Sequence, residues 1–338
     1  IGTHTCLLLI EKGYKVNVID SFVNSSPKAL ERIKKICERD KNFSNSNLNI
    51  FNGDLRNKDF IRNVFSKIEK NQQSIDGVIH FAGLKAVAES IKKPLLYWEN
   101  NVLGTINLLN IMEEFDCNTL VFSSSASIYA QKGKELLKEN SELKPTHPYG
   151  NSKFSIELIL KDIFEGSKIE RKFASLRYFN PIGAHSSGLL GENPIGTPNN
   201  IFPLIINTAC GIQRELKIYG DDWPTNDGTP IRDYIHVMDL AEAHINVLEN
   251  ITNHKSIFVN LNIGTGKGTS VLKLINIFEK VNNIKVPYVF AKRRPGDVCH
   301  VVADNTFMNT KFKIIPKMSI EDMCRDGWKW RKLNPNGY

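Results

Sequence analysis

The sequence predicts an α/β fold, a doubly wound parallel sheet with helices on both faces, followed by a smaller C-terminal substrate domain. Three observations predict it. Short β-rich runs alternate with helical stretches over the first 180 residues, and such alternation builds parallel strands joined by crossover helices. Gly2 precedes Asp20 by 18 positions, close to the spacing of a glycine turn and the acid that ends the second strand of such a sheet. Beyond Asn180 the loops lengthen and gain Pro and Gly, as in 181–203 and 219–230.

The elements follow in order. Residues 2–12 read as a helix stopped by Gly13, and 15–19 (Lys-Val-Asn-Val-Ile) as a strand ending at Asp20. Helical stretches are expected over 27–39, 59–70, 94–114 and 149–165, where apolar residues recur at helical spacing. Strands are expected at 48–51 before Gly53-Asp54, at 77–81 before Ala82-Gly83, at 119–122 before Ser123-Ser124-Ser125, and at 173–178. The chain opens at Ile1-Gly2-Thr3-His4 directly into a helix. Gly2 therefore reads as the last glycine of a G-x-x-G-x-x-G turn, and the expected Rossmann-type sheet lacks its first strand in this fragment. The division expected is 1–180 for the dinucleotide domain, with 233–263 returning to it, and 181–338 for the substrate domain.

Composition narrows the class. The 338 residues are 41 % hydrophobic and 24 % charged, as in a globular protein. No run approaches the ~18 apolar residues of a membrane span, and the run 6–10 has neither the basic flank nor the cleavage site of a signal peptide. The six cysteines have no C-x-x-C spacing and no His cluster. That speaks against zinc and a disulfide framework, and free thiols fit a reducing cytoplasm. The net charge of +8 is spread along the chain without a basic tract or aromatic ladder; it reads first as a Lys- and Asn-rich compositional bias, next as a fit to anionic substrates, and last as nucleic-acid binding.

Every motif with chemistry falls at a strand's C-terminal end or on the helix after it, where such sheets bind ligands. Asp20 can accept hydrogen bonds from both hydroxyls of an adenosine ribose. The next residue is Ser21 rather than Arg, which favours NAD over NADP. Asp54, with Leu55 beside it, is placed to meet the adenine. Phe81, Ala82 and Gly83 offer close backbone approach. Tyr149 and Lys153 stand at i and i+4 near a helix start and project from one face. A Tyr is a poor base at neutral pH, and an adjacent ammonium lowers its pKa. Lys153 is expected to do so while binding the nicotinamide ribose, and Ser125 to hydrogen-bond the reacting hydroxyl. Tyr288 and Lys292 repeat the spacing within a β-rich run, where i and i+4 stand too far apart for direct support.

The chain resembles the extended short-chain dehydrogenases/reductases, and among them the UDP-glucose 4-epimerases. The stretches that carry this are 80–90 (His-Phe-Ala-Gly-Leu-Lys-Ala-Val-Ala-Glu-Ser), 122–129 (Phe-Ser-Ser-Ser-Ala-Ser-Ile-Tyr), 148–153 (Pro-Tyr-Gly-Asn-Ser-Lys), 176–185, 198–200 (Pro-Asn-Asn), 232–240 and 294–297 (Arg-Pro-Gly-Asp). The resemblance implies NAD as cofactor and a UDP-hexose as substrate, inverted at carbon 4 through a 4-keto stage. It implies that Lys85, Asn100 and Phe179 join the NAD site, Lys85 also facing the substrate, and that Asn180 and Asn200 hold the sugar nucleotide. It places Lys217, Ile218 and Tyr219 along the uracil, Arg232 and Arg294 on the diphosphate, and Asp297 on the uridine ribose. His236 and Asp239 are expected to brace the fold. A homodimer through the helices over 94–114 and 149–165 is also implied. Two departures stand out: Ala130 replaces a common Gly, and Val301 stands where members carry a Tyr or a small residue beside the sugar's 2-substituent. A small residue there leaves room for an N-acetyl group.

Two rival readings remain at this level. A sugar-nucleotide 4,6-dehydratase or decarboxylase needs further acid–base groups beside the serine, but Ser125 is followed by Ala126 and Ser127, and the next carboxylate is Glu135. A catalytically dead sensor or scaffold is expected to lose Tyr149, Lys153 or the arginines, and all are present.

Overall fold

The computed structural model describes every residue except 39–46, 72–73, 131–132, 197 and 295. Twelve strands are described: β1 (Val16–Asp20), β2 (Leu48–Asn52), β3 (Val78–His80), β4 (Thr119–Ser125), β5 (Lys172–Tyr178), β6 (Asn180–Ile182), β7 (Leu216–Tyr219), β8 (Ile231–His236), β9 (Ile257–Ile263), β10 (Gly268–Ser270), β11 (Tyr288–Ala291) and β12 (His300–Val301). β3, β4, β5 and β9 form a parallel sheet in that spatial order, and β1 pairs with β2, also parallel. Among the described residues no ladder joins these two sheets. In the C-terminal part β8 is the hub, pairing antiparallel with β10 and parallel with β12 and β6, while β7 and β11 form a separate parallel pair.

Helices cover both faces of the four-stranded sheet. On one face, Leu240, Ala243, Val247 and Ile251 of helix Val237–Thr252 pack on Val121, Ala174, Leu176 and Leu261. On the other, helices Lys58–Lys70, Gly104–Glu114 and Pro148–Gly166 bury Ile61, Phe65, Leu108, Ile111, Ile156 and Leu160 against Leu120, Phe122 and Phe173. Burial on both faces accounts for the unbroken apolar run Leu120-Val121-Phe122 in β4, and the polar residues of these strands, Ser123, Ser124, Ser175 and Arg177, are buried with it. A further core lies beneath helices Ile201–Ala209, Val271–Asn282 and Ile320–Leu333.

Local chemistry accounts for the boundaries. Helix Lys58–Lys70 starts where the Asn57 side chain accepts the Phe60 amide at 3.0 Å, with Asp59 in its first turn and Lys67 and Lys70 in its last. Helix Pro27–Cys37 opens with Pro at its first position; the expected end at Arg39 lies outside the described residues. The expected single helix over 94–114 is three pieces: Pro94–Tyr97, a π-helical segment Trp98–Leu103, and Gly104–Glu114. The serines expected just past a strand belong to it, since Ser123, Ser124 and Ser125 continue the ladder opposite Leu176, Arg177 and Tyr178.

Candidate active site

Tyr149 and Lys153 lie in the first turns of helix Pro148–Gly166. His147 caps it: its Nδ1 accepts the Gly150 amide at 3.0 Å, and its ring stacks parallel to the Tyr149 ring at 6.0 Å. Further along, Glu157 takes a bidentate pair from Arg177 of β5 at 3.0 and 2.6 Å, and the Ser124 hydroxyl of β4 at 2.5 Å. Arg177 also donates to the Tyr129 phenol and the Glu139 carbonyl. Removing charge from water is costly, and the bidentate geometry compensates only in one arrangement. This network therefore fixes the helix against the sheet and sets where Tyr149 stands.

Ser125 ends β4, and its hydroxyl reaches the Tyr149 phenol. Lys153 is 4 % exposed. Its Nζ donates to the Ser123 carbonyl at 2.7 Å and lies 4.8 Å from the centre of the Phe122 ring. Burial lowers its pKa to about 8. Burial raises the pKa of the Tyr149 phenol, and the Ser125 hydroxyl and the Lys85 ammonium oppose that rise.

Beside this cluster the loop after β3 carries Phe81, Ala82 and Gly83. Gly83 has φ +151°, and a Cβ there would stand 3.0 Å from Asn101 Oδ1 and 3.8 Å from Lys153 Nζ. Only glycine keeps that approach open. Gly2, the first residue of helix Gly2–Glu11, packs on the Phe81 ring. Asp20 ends β1; its Oδ1 accepts from the Phe22 amide and the Ser25 hydroxyl at 2.8 and 2.9 Å, leaving Oδ2 for a ligand. Asp54 is already paired with Arg56 at 2.7 Å, which holds its carboxyl below the usual range. Leu55 packs against Gly104.

These groups fit a dinucleotide. An ammonium has three donors, and the one acceptor of Lys153 among the described residues is Ser123, so two remain for ribose hydroxyls. Asp20 offers a free carboxylate oxygen, and Gly83 an exposed backbone. Asn100, expected at this site, turns its amide back to the Leu96 carbonyl at 2.8 Å. Its neighbour Asn101, 1 % exposed, links the Leu84 backbone to the Ser152 hydroxyl. The motif shows two adjacent asparagines, and nothing in it tells which one turns inward.

In the C-terminal part the structure brings together Arg232, Arg294, Asp297 and Tyr219. Arg232 and Arg294 both pair with Asp297, at 2.6 and 3.0 Å, and the Arg294 guanidinium lies over the Tyr219 ring at 4.8 Å. Asp297 thus serves as a counter-ion to both arginines. Lys217 and Tyr219 share one face of β7, whereas the Ile218 side chain points into the core at 1 % exposure; it can offer a ligand only its backbone. Asn180 lies in β6. Asn200 precedes helix Ile201–Ala209 and makes no side-chain cap, which leaves its carboxamide available. Phe179 and Val301 are buried in one cluster with Ala126 and Tyr129, and Val301 stands opposite Arg232 in the β12–β8 register. This cluster joins β12 to the segments after β4 and β5.

His236 and Asp239 brace the fold as expected. His236 Nδ1 accepts the Met238 amide, and Asp239 accepts the Met318 amide. Tyr288 lies at the exposed start of β11, a strand, as its β-rich surroundings suggest. Among the described residues no group of three or more His, Cys, Asp or Glu is placed to hold a metal ion, and no helix is long and apolar enough to cross a membrane.

Comparison with known proteins gives a consistent result. A family model described as GDP-mannose 4,6 dehydratase matches residues 1–327. UDP-glucose 4-epimerase 2 of Arabidopsis thaliana is 45 % identical over 338 residues, covering all of this chain and 94 % of that protein. A solved UDP-glucose 4-epimerase of Bifidobacterium longum, in complex with NAD+ and UDP, is 40 % identical with TM-score 0.91, over 99 % of this chain and 96 % of that one. Another from Stenotrophomonas maltophila, with NAD and a formylated UDP-arabinopyranose bound, is 37 % identical with TM-score 0.92, over 99 % and 95 %.

Proposed function

Since the chain belongs to the GDP-mannose 4,6 dehydratase family and, within it, to the UDP-glucose 4-epimerases, we propose that Tyr149, Lys153 and Ser125 carry its reaction. The reaction is the NAD-dependent inversion of carbon 4 in UDP-hexoses. The observation that carries the assignment is the half-buried Tyr149, whose phenol the Ser125 hydroxyl meets, followed one turn on by the buried Lys153. NAD, when bound, supplies a reversible acceptor for the carbon-4 hydride, so the sugar passes through a 4-keto stage with no net oxidation. Tyr149 removes the proton of the 4-hydroxyl and later returns it. Ser125 hydrogen-bonds the same oxygen. Lys153 orients the cofactor ribose through its two remaining donors.

Arg232 and Arg294 hold the diphosphate, whose oxygens suit planar guanidinium groups. Lys217, the Ile218 backbone and Tyr219 line the uracil, and Asp297 takes the uridine ribose. Asn180 and Asn200 contact the sugar nucleotide. Gly2, Asp20, Asp54, Leu55, Phe81, Ala82, Gly83, Lys85, Asn100 and Phe179 make up the rest of the cofactor site. In this reading residues 1–180, with 233–263, form the cofactor domain, and 181–338 the substrate domain; the pairing of β9 with β5 supports the return. The dehydratase reading is disfavoured by Ala126 and Ser127 after Ser125, where no carboxylate stands.

Homodimerisation belongs to the same proposal. Ile91, Leu95, Leu103, Ile106 and Leu158 are exposed on or beside helices that pack against one another next to the site. Six free cysteines support a cytoplasmic setting. The small side chain of Val301, packed beside Phe179, is the ground for extending the proposal to N-acetylated UDP-hexoses.

The deciding experiment is Tyr149→Phe. NAD content and fold should be retained while turnover falls by roughly 10²-fold or more, the scale of lost general-base catalysis. Tyr288→Phe should change little. Equal behaviour of the two variants would remove Tyr149 from the mechanism.

A further inference from the structure

Arg293, beside the arginine assigned to the diphosphate, makes contacts that the reaction as described leaves unused. Its guanidinium lies 3.9 Å from the centre of the Trp223 ring. Its Nε donates to Asp222 Oδ1 at 2.7 Å, and its Nη2 to the Asp222 carbonyl at 2.6 Å. A planar cation laid on an indole is held by the electron density of the ring, and the two hydrogen bonds fix its rotation there. Among the described residues, these two are the hydrogen bonds that tie 292–296 to anything beyond Asp297.

Trp223 is itself anchored. Its indole Nε1 donates to the Tyr219 carbonyl at 3.2 Å, and its amide to the Gly228 carbonyl at 3.0 Å. Gly220 makes the turn between Tyr219 and Trp223 with φ +89°; a Cβ there would stand 2.3 Å from the indole nitrogen and 2.9 Å from Arg293 Cγ. Asp227 holds the far end of the loop. It accepts the Thr229 amide and hydroxyl at 3.0 and 2.7 Å, and the hydroxyl of Ser270, which caps helix Val271–Asn282. The loop then runs into β8 and Arg232. Trp223 therefore touches both sides of one corner: Tyr219, over which Arg294 lies, and Arg293, from which Arg294 continues.

We propose that Trp223 and Arg293 are positioning residues for the nucleotide: their stack sets the course of the chain at Arg294 and so holds that guanidinium over Tyr219 before the ligand arrives. The inference rests on the reading of Arg294 and Tyr219 as diphosphate and uracil contacts. The Arg294 side chain is 53 % exposed, and its ion-pair partner Asp297 lies only three residues on, in the same loop. That pair cannot by itself fix the loop against β7. A long side chain ordered on binding takes the cost of ordering from the affinity, and one ordered in advance does not. The stack acts through Arg294 and Tyr219 on bound substrate and transition state alike, so its loss falls on KM and leaves kcat.

The test is made on the NAD-bound enzyme, by calorimetric titration with UDP and by kcat and KM for UDP-galactose. Trp223→Ala removes no charge. It should raise the UDP Kd and the KM by about 3- to 10-fold, the scale of one side chain ordered on binding, with kcat retained. Arg293→Met should do the same, and the double variant no more than either single change. Arg293→Lys, which keeps the charge without the plane, should behave as Arg293→Met. Arg293 stands at the surface, 39 % exposed, so its variants serve if Trp223→Ala does not fold. The inference is overturned if Arg293→Lys binds UDP as the unaltered enzyme does, since charge alone would then suffice. It is equally overturned if the two single losses add in full in the double variant, or if kcat falls with KM unmoved. An unaltered enzyme that does not bind UDP would sink the nucleotide reading and this inference with it, whereas undiminished UDP binding in both single variants sinks the inference alone.

Discussion

Lys153 shows most directly what the site demands of a single residue. Burial lowers its pKa from an ordinary value near 10.5 to about 8. Between these values the unfolded chain binds the proton that the folded chain has given up, so stability rises with pH across that window. Below about pH 8 the fold carries the whole penalty of a buried charge. Lys153→Met should therefore stabilise the NAD-free protein by about 2 kcal/mol at pH 7, with the gain shrinking as pH rises toward 10. The same change should abolish turnover. Urea midpoints at pH 7 and pH 9.5 measure the effect, and a midpoint that drops at pH 7 would contradict it. Val301 carries the second expectation at this scale. Extra volume in a filled pocket costs about 1–3 kcal/mol. Val301→Tyr should then suppress kcat/KM for UDP-N-acetylglucosamine and UDP-N-acetylgalactosamine while sparing the plain hexoses. Equal loss for both pairs, or no activity on N-acetylated sugars before the change, would defeat it.

At the scale of elements, the helices around the site leave an apolar face bare. Leu95 is 73 % exposed and Leu158 45 %, on helices Pro94–Tyr97 and Pro148–Gly166 that pack together. Exposed apolar residues clustered on adjoining elements mark a contact surface. Leu95→Glu combined with Leu158→Glu should convert a dimer to a monomer in sedimentation velocity; a protein already monomeric before the change would refute the homodimer. The strand–helix alternation was legible because its two periods differ so plainly, and Tyr149 could be told from Tyr288 by the element each sits in. Other features were not. The π-helical turn at Trp98–Leu103 follows from packing rather than from composition, and with it goes the choice of Asn101 over Asn100. The inward turn of Ile218 needed the register of β7 against β11.

The whole molecule explains what the sequence hid about the site. Ser125 at a strand end and Tyr149 and Lys153 at the start of the next helix follow from the parallel topology, whereas Arg232 near the start of β8 and Arg294 and Asp297 in a loop come together through their ion pairs. Most of the pairings were hidden, since they join residues of different elements, Arg294 with Asp297 three positions on being the exception. Asp297 binding Arg232, Glu157 meeting Arg177, and Glu192 meeting Lys85 leave no mark on local pattern. The loop bearing Glu192 is the extreme case. Arg32, whose guanidinium faces the rings of Trp330 and Tyr338, bonds Leu189 and also reaches Asn334, 302 positions away. Contacts of such separation form slowly, because the chain must close a very long loop before any reward is gained. On a ribosome the parallel strands emerge and can pair well before helix Ile320–Leu333 exists to dock. Each newly made molecule thus passes through an interval in which its cofactor side is built and its substrate side is not. That interval ends only once the C-terminal helix has docked on its core.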